Sequence, residues 1–226
     1  MPDRLTGGPS KSVEDFLKAV YTLQQRSERV STNALKEALN ISAPSVTDMA
    51  RRLVDAELVD YRKYYGVRLT VEGEQLALRV LRRHRLIELY LVQELGYDLH
   101  EVHDEAEALE HAVSDQFVEA IAHKLNDPQF DPHGDPIPAA DGSVTRRVLH
   151  PLSELELYTA ARVSRFITTD PEMLQHTIDR GFVLDAVVEV IARDPFDGPL
   201  TIRLDGDELI IGYNLAASIL VEMLPA

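Results

Sequence analysis

The sequence predicts a mainly α-helical chain with small β elements. It divides into an N-terminal winged helix-turn-helix over residues 1–73, a helical domain over 74–145 and an SH3-like β-barrel over 146–226. Three observations carry this. Apolar residues recur at helical spacing through most of the first ~125 positions. A basic, aromatic segment flanked by two β-rich pieces follows the second and third of these helices. The last ~75 residues alternate in short runs separated by turn residues.

The first helix is predicted from Ser12, as N-cap, to Gln25, with Phe16, Leu17, Val20, Tyr21 and Leu23 on one side. Thr32 opens a second helix bearing Leu35, Ala38 and Leu39. After the short break Asn40-Ile41-Ser42-Ala43 a third begins with Pro44 in its first turn, where a missing amide costs nothing. It turns Val46, Met49, Leu53 and Val54 inward. Two short helices joined by a tight turn form the helix-turn-helix pattern. Leu58 to Thr70 reads as a β-hairpin wing, two β-rich pieces flanking a basic, aromatic tip. Thr70 caps a long helix reaching about Glu94, and helix resumes from His103 to about Leu125. The Pro- and Gly-rich stretch from Asn126 to Gly142 is a linker or extended arm. Helical pieces are expected at Ser153–Tyr158 and Asp170–Arg180. Strands are expected at Val187–Ile191, Leu200–Leu204 and Glu208–Ile211, the last two around the turn Asp205-Gly206-Asp207.

Composition narrows the chemistry. The chain has 226 residues, is 45% hydrophobic, and has no apolar run near the ~20 residues that span a bilayer. Met1 to Gly8 is polar, without the apolar stretch of a secretion signal, so a cytoplasmic location away from membranes is expected. There are no cysteines, which excludes disulfides, thiolate zinc sites, iron–sulfur clusters and cysteine nucleophiles. The net charge of −15 is unevenly spread: residues 1–85 sum to +4 and the remainder to −19. Only the first part can approach a phosphate backbone without strong repulsion. The acidic remainder is by itself also what a solubilising surface looks like.

A helix that enters the major groove needs short side chains at its N-terminal end and cations beyond them. Ser42, Ala43, Pro44, Ser45, Thr47 and Asp48 lead the third helix, and Arg51 and Arg52 follow. The wing adds Arg62, Lys63, Tyr64, Tyr65 and Arg68, and the next helix adds Arg79, Arg82, Arg83 and Arg85. Ala43 and Pro44 suit thymine methyl groups, which predicts modest direct readout beside phosphate and shape contributions. Helix-turn-helix units also serve as protein-contact modules, but this order of helix, helix, wing and basic residues favours double-stranded DNA.

The segment from His103 to His111 carries a second chemistry. On a helix Glu107, Glu110 and His111 fall at i, i+3 and i+4, so three ligating groups share a face. Asp15 can add a fourth if its helix packs alongside. Oxygen donors with one imidazole suit Mn²⁺ or Fe²⁺, for which geometry rather than binding strength must select. His84 and Glu88, again at i and i+4, form a second set with His103. Acidic helix faces with a histidine are commonly solvated surface. Two such sets after a winged helix favour metal.

Taken together, these residues resemble the diphtheria toxin repressor family of metal-dependent regulators. The resemblance lies in Ser12-Val13-Glu14-Asp15-Phe16-Leu17, Ala43-Pro44-Ser45-Val46-Thr47, Arg83-His84-Arg85-Leu86-Ile87-Glu88, Val102-His103-Asp104-Glu105-Ala106 with Glu110-His111, and Gly134-Asp135-Pro136-Ile137-Pro138. The C-terminal part is similar to the SH3-like (FeoA-like) domain of longer members. The resemblance implies a primary site at Asp15, Glu107, Glu110 and His111. It implies an ancillary site at His84, Glu88 and His103, to which the third domain lends Asp170 and Glu172. Iron-responsive members carry sulfur residues where this chain has Asp15 and Glu107, whereas manganese-responsive members carry oxygen donors. The implied cofactor is therefore Mn²⁺, with Fe²⁺ as the alternative. Lys18 stands where small manganese regulators have a carboxylate, which argues against their two-metal cluster.

The expected protein is a homodimeric, manganese-dependent repressor of metal-uptake genes that binds a palindromic operator. Leu86, Leu89, Tyr90, Leu109, Val113 and Phe117 form either its dimer interface or simply core. The competing readings are a winged-helix regulator of iron or a non-metal ligand, and a metalloenzyme. Against an enzyme, the chain lacks paired Glu-x-x-His ligands of a four-helix carboxylate centre and any evident Ser/His/Asp arrangement, so no catalytic residue is assigned.

Overall fold

The computed structural model describes residues 10–168 and 170–224, so the polar stretch Met1–Gly8 lies outside the described residues. The described residues resolve into two compact units: those up to residue 84 with 138–143, and those of 85–137 with those from 144 onward.

In the first unit, α1 spans Lys11–Gln24, α2 Thr32–Leu39 and α3 Ala43–Asp55. Helix α1 begins two residues earlier than its sequence signal, with Ser10 rather than Ser12 at the N-cap. Ser31 and Ser42 cap α2 and α3, their hydroxyls accepting the N–H groups of Ala34 at 3.1 Å and Ser45 at 3.2 Å. Asn40 ends α2 in the left-handed conformation, which an Asn tolerates and which turns the chain sharply into α3. Phe16, Leu17, Val20, Leu35, Val46, Ala50 and Leu53 meet in one core. Val54 was expected there but is 41% exposed. The wing is an antiparallel hairpin of β1 (Val59–Arg62) and β2 (Gly66–Leu69). Val30 and Val67 exchange both backbone hydrogen bonds, at 2.8 and 2.9 Å, which ties the hairpin to the chain before α2. Gly66 is required there: its φ is +103°, and a Cβ would lie 2.2 Å from the Val30 carbonyl oxygen. Thr70 caps α4 (Val71–Leu95), its hydroxyl accepting the Gly73 N–H at 3.0 Å.

In the second unit the predicted helix from His103 to Leu125 is two helices, α5 (Val102–Leu109) and α6 (Asp115–Lys124). The break follows from Ser114, whose hydroxyl accepts the Phe117 N–H at 3.2 Å and so starts a new helix. Leu86, Leu89, Val102, Ala106, Val118 and Ile121 share a core, so Leu86 and Leu89 are buried within the protomer, while Phe117 is 48% exposed.

The C-terminal part holds a six-stranded antiparallel sheet in the order β3-β8-β4-β5-β6-β7, its outer strands not paired with each other, in keeping with an SH3-like fold. The strands are β3 (His150–Pro151), β4 (Ala160–Phe166), β5 (Val187–Arg193), β6 (Leu200–Leu204), β7 (Asp207–Ile211) and β8 (Ile219–Met223). The helical piece expected at Ser153–Tyr158 is only a 3₁₀ turn at Leu152–Glu154. Helix α7 covers Pro171–Asp179 and α8 covers Tyr213–Ala217. A register shift between Val163 and Arg165 interrupts the alternation of β4 and hides that strand from a period-2 reading. Among the described residues no helix is long and apolar enough to cross a membrane.

Candidate metal centres and nucleic-acid interface

Helix α3 buries Val46, Ala50 and Leu53 and exposes Pro44, Ser45, Asp48, Arg51 and Arg52. Ser42 is exposed at its cap, and Ala43 and Thr47 are half-buried. The predicted DNA-facing residues thus fall on the outer side of α3 or at its N-terminal end. The wing presents the exposed residues Arg62, Lys63 and Tyr65, with Tyr64 at the tip 91% exposed. Lys63 Nζ stands 4.9 Å from the Tyr64 ring centroid, a cation–π contact that keeps charge at the tip. Arg29 holds the wing's base by an ion pair with Asp60 and by donating to the carbonyls of Asp60 and Gly66 at 3.1 and 3.3 Å.

The arginines of α4 behave differently from expectation. Arg82 donates to the Pro138 carbonyl at 3.0 Å, and Arg83 lies 3.4 Å from Glu14. Arg85 donates to the Pro136 carbonyl and lies 3.4 Å from Asp135. These three arginines brace the chain, and Arg79 remains the exposed one.

In the second unit Glu107, Glu110 and His111 each offer a ligating atom within 4.8 Å of the others. They converge at the end of α5 and the turn beyond it rather than along a continuous helix face. Glu110 is the C-cap, still αR, and donates its N–H to the Ala106 carbonyl at 2.9 Å. Its side chain is wholly buried, with Oε1 3.2 Å from His111 Nε2. A carboxylate withdrawn from water needs positive charge and hydrogen bonds around it. Two carboxylates and an imidazole without sulfur therefore fit a hard divalent cation. Asp15 lies half-buried on α1 of the first unit.

His84 and Glu88 stand one turn apart on α4, both buried, and Glu88 Oε1 lies 3.2 Å from His103 Nδ1. A residue missed by the sequence reading also approaches: His133 Nε2 is 4.0 Å from the same carboxylate oxygen. Asp131 fixes that loop, its Oδ1 accepting the N–H groups of His133 and Asp135, both at 2.9 Å. Burial, with the charges of Asp135 and Glu88 nearby, pushes Asp131 well above the usual carboxylate range, against the opposing pull of Arg85. The signal available in the sequence was Asp131-Pro132-His133-Gly134-Asp135, a polar loop with one imidazole. Asp170 and Glu172 are exposed and stand outside this cluster. Asp170 Oδ1 instead caps α7, accepting the Glu172 N–H at 3.0 Å.

Comparison with known proteins agrees with this division of labour. Residues 10–67 match the iron-dependent repressor N-terminal DNA-binding domain, 70–139 its metal-binding and dimerisation domain, and 150–223 the FeoA domain. The MntR regulator of Oceanobacillus iheyensis is 31% identical over 118 residues, which cover 52% of this chain and 80% of that protein. A solved manganese-dependent transcriptional repressor in complex with manganese is 41% identical, with a TM-score of 0.86 over 94% of this chain and all of that one. This chain belongs to the iron-dependent repressor family. The diphtheria toxin repressor of Corynebacterium glutamicum matches along nearly the whole length, 29% identical over 93% of this chain and 96% of its own.

Members of the iron-dependent repressor family are metal-dependent DNA-binding transcriptional repressors rather than enzymes, and this chain carries their DNA-binding and dimerisation domains. The match over 70–139 contains Glu88, His103, Glu107, Glu110, His111 and His133. The DNA-binding match contains the whole of α3 and the tip of the wing.

Proposed function

We propose that this member of the iron-dependent repressor family is a cytoplasmic, manganese-responsive repressor of metal-uptake genes that binds a palindromic operator as a homodimer. The observation that carries the metal reading is the donor set at the end of α5: Glu107, a fully buried Glu110 and His111, in a chain without cysteine. Oxygen-rich ligation suits Mn²⁺, and the solved relative in complex with manganese supports the same choice. Asp15 is the fourth donor of the primary site, on the strength of the family resemblance. Glu88, His84 and His103, joined by His133, form the ancillary site. Glu88 Oε1 lies 3.2 Å from His103 Nδ1 and 4.0 Å from His133 Nε2, so these side chains would together offer nitrogen and oxygen donors to one ion.

The functional parts follow residues 1–73 for DNA binding, 74–145 for metal binding and dimerisation, and 146–226 for the FeoA-like domain. Exposed Phe117 is the interface residue of choice. Metal need favour the DNA-competent arrangement by only ~1–3 kcal/mol per site to act as a switch, and DNA must tighten metal binding by the same factor. A gel shift with a palindromic operator tests this under Mn²⁺ titration. Wild type should bind only with Mn²⁺ and His111→Ala should need far more of it. Equal binding by chelator-treated and Mn²⁺-loaded wild type, or an unchanged Mn²⁺ dependence in His111→Ala, would overturn the proposal.

A further inference from the structure

The outer side of α3 carries a carboxylate where a phosphate polymer is expected to dock. Every acidic group on such a surface weakens approach to DNA. Yet Asp48 sits one helical turn beyond Pro44 with its side chain 74% exposed. Its surroundings give it a use. In positions 42–49 the other oxygen-bearing side chains already have partners within the helix. Ser42 Oγ accepts the Ser45 N–H at 3.2 Å and meets Ser45 Oγ at 2.8 Å. Thr47 Oγ1 donates to the Ala43 carbonyl at 3.1 Å. Ala43, Pro44 and Val46 have no polar side-chain atoms, and Met49 has only a thioether. Asp48 is held by an exposed ion pair, with Oδ1 3.6 Å from Arg51 Nη1, a type worth little in water. It is the carboxylate in these two turns that can be given to a base.

We infer that Asp48 is the base-reading residue of this helix and that it reads the N4 amino group of a cytosine in the major groove. An ionised carboxylate only accepts hydrogen bonds. In the major groove guanine offers acceptors, and thymine an acceptor and a methyl group. Adenine sets an N7 acceptor beside its amino group, where it repels the second carboxylate oxygen. Cytosine alone offers an amino donor without an adjacent acceptor on the same base. The charge works in both directions, because a site lacking the donor leaves the carboxylate facing acceptors and is disfavoured. Pro44, one turn earlier, can meet a neighbouring thymine methyl. Arg51 keeps the net charge of the pair near zero as the helix approaches.

This inference rests on the proposed DNA-binding function. The test is binding-site selection from a randomised duplex pool with the full chain and Mn²⁺, comparing wild type, Asp48→Ala and Asp48→Asn. Wild type should select cytosine at one position of each half-site, and Asp48→Ala should flatten that position alone. Cytosine-over-guanine discrimination there should fall roughly 5- to 150-fold, the range of one good base contact. Asp48→Ala should also bind unrelated duplex more tightly. Asp48→Asn, whose amide can pair with adenine N6 and N7, should move the preference toward adenine. Identical preferences in wild type and Asp48→Ala overturn the inference, as does a wild-type preference for any other base at the flattened position. Wild type that selects no sequence at all, with or without Mn²⁺, overturns the proposed function as well, so the two failures are distinguishable.

Discussion

Gly134→Ala separates two costs that one glycine avoids. Gly134 has φ +87°, where an L side chain is strained, and its missing Cβ would lie 2.1 Å from the Ser164 carbonyl oxygen and 2.8 Å from Arg165 Cα. The loop packs its backbone directly on β4, and the Phe166 N–H donates to the His133 carbonyl at 2.9 Å beside this point. Gly206, in the β6–β7 turn, has φ +104° but nothing within 4 Å of its Cβ position. Gly206→Ala should therefore cost only the left-handed strain, ~1–2 kcal/mol. Gly134→Ala should cost that plus ~1–3 kcal/mol for forcing atoms into packed backbone, a total of ~2–5 kcal/mol. Urea unfolding followed by circular dichroism gives the comparison, and hydrogen exchange at the Phe166 amide reports the local contact. If the two variants lose equal stability and Phe166 stays as protected as in wild type, the close approach of loop and strand is not what requires glycine.

Three further outcomes are expected. Ser114→Ala removes the cap that separates α6 from α5 and should cost ~1 kcal/mol in urea unfolding, with Ser114→Asp close to wild type; equal midpoints for all three would deny the capping role. Asp131 has a folded-state pKa raised above its ordinary value of 3.8, so its stabilising contribution is complete below that value and is lost as pH rises through the raised one. Asp131→Asn keeps an oxygen for the His133 and Asp135 N–H groups, so in chelator-treated protein it should gain on wild type as pH increases above the ordinary carboxylate value; a stability difference that does not change with pH would contradict this. Glu107→Cys replaces a hard donor by a soft one and should narrow the preference for Mn²⁺ over Fe²⁺ in metal titrations followed by thermal unfolding, and an unchanged ratio would remove the argument from donor hardness.

The N-terminal unit was readable because its signals are local. The spacing of Phe16, Leu17 and Val20, the serines capping α2 and α3, and Pro44 at the start of α3 act within one helical turn. The hairpin was readable from β-rich pieces around a basic tip. The division between α5 and α6 was hidden because no Gly or Pro lies between Val102 and Lys124, and the one cue, Ser114, is an ordinary residue inside helices too. Strands β3, β4 and β8 were missed because they gain their partners across long sequence separations, and the bulge in β4 breaks its alternation. The convergence of Glu107, Glu110 and His111 was visible in their spacing, although the residues lie at a helix end. His133 was invisible for the opposite reason: only the pinning of its loop, through Asp131 and the packing of Gly134 on β4, brings it to Glu88.

The position of Glu107 and Glu110 at the last turn of α5 has a thermodynamic consequence. Aligned peptide dipoles already make that end of a helix negative, and acidic side chains there are unfavourable by ~0.3–1 kcal/mol each, the reverse of the usual distribution of charge. A divalent cation held by Glu107 and Glu110, as proposed above, would change the sign of both terms at once, relieving the repulsion between carboxylates and compensating the carbonyls of the final turn. Winding of that turn and capture of the proposed ion would then be linked equilibria: a substitution that tightens the end of α5 would raise affinity for the ion without touching a ligand.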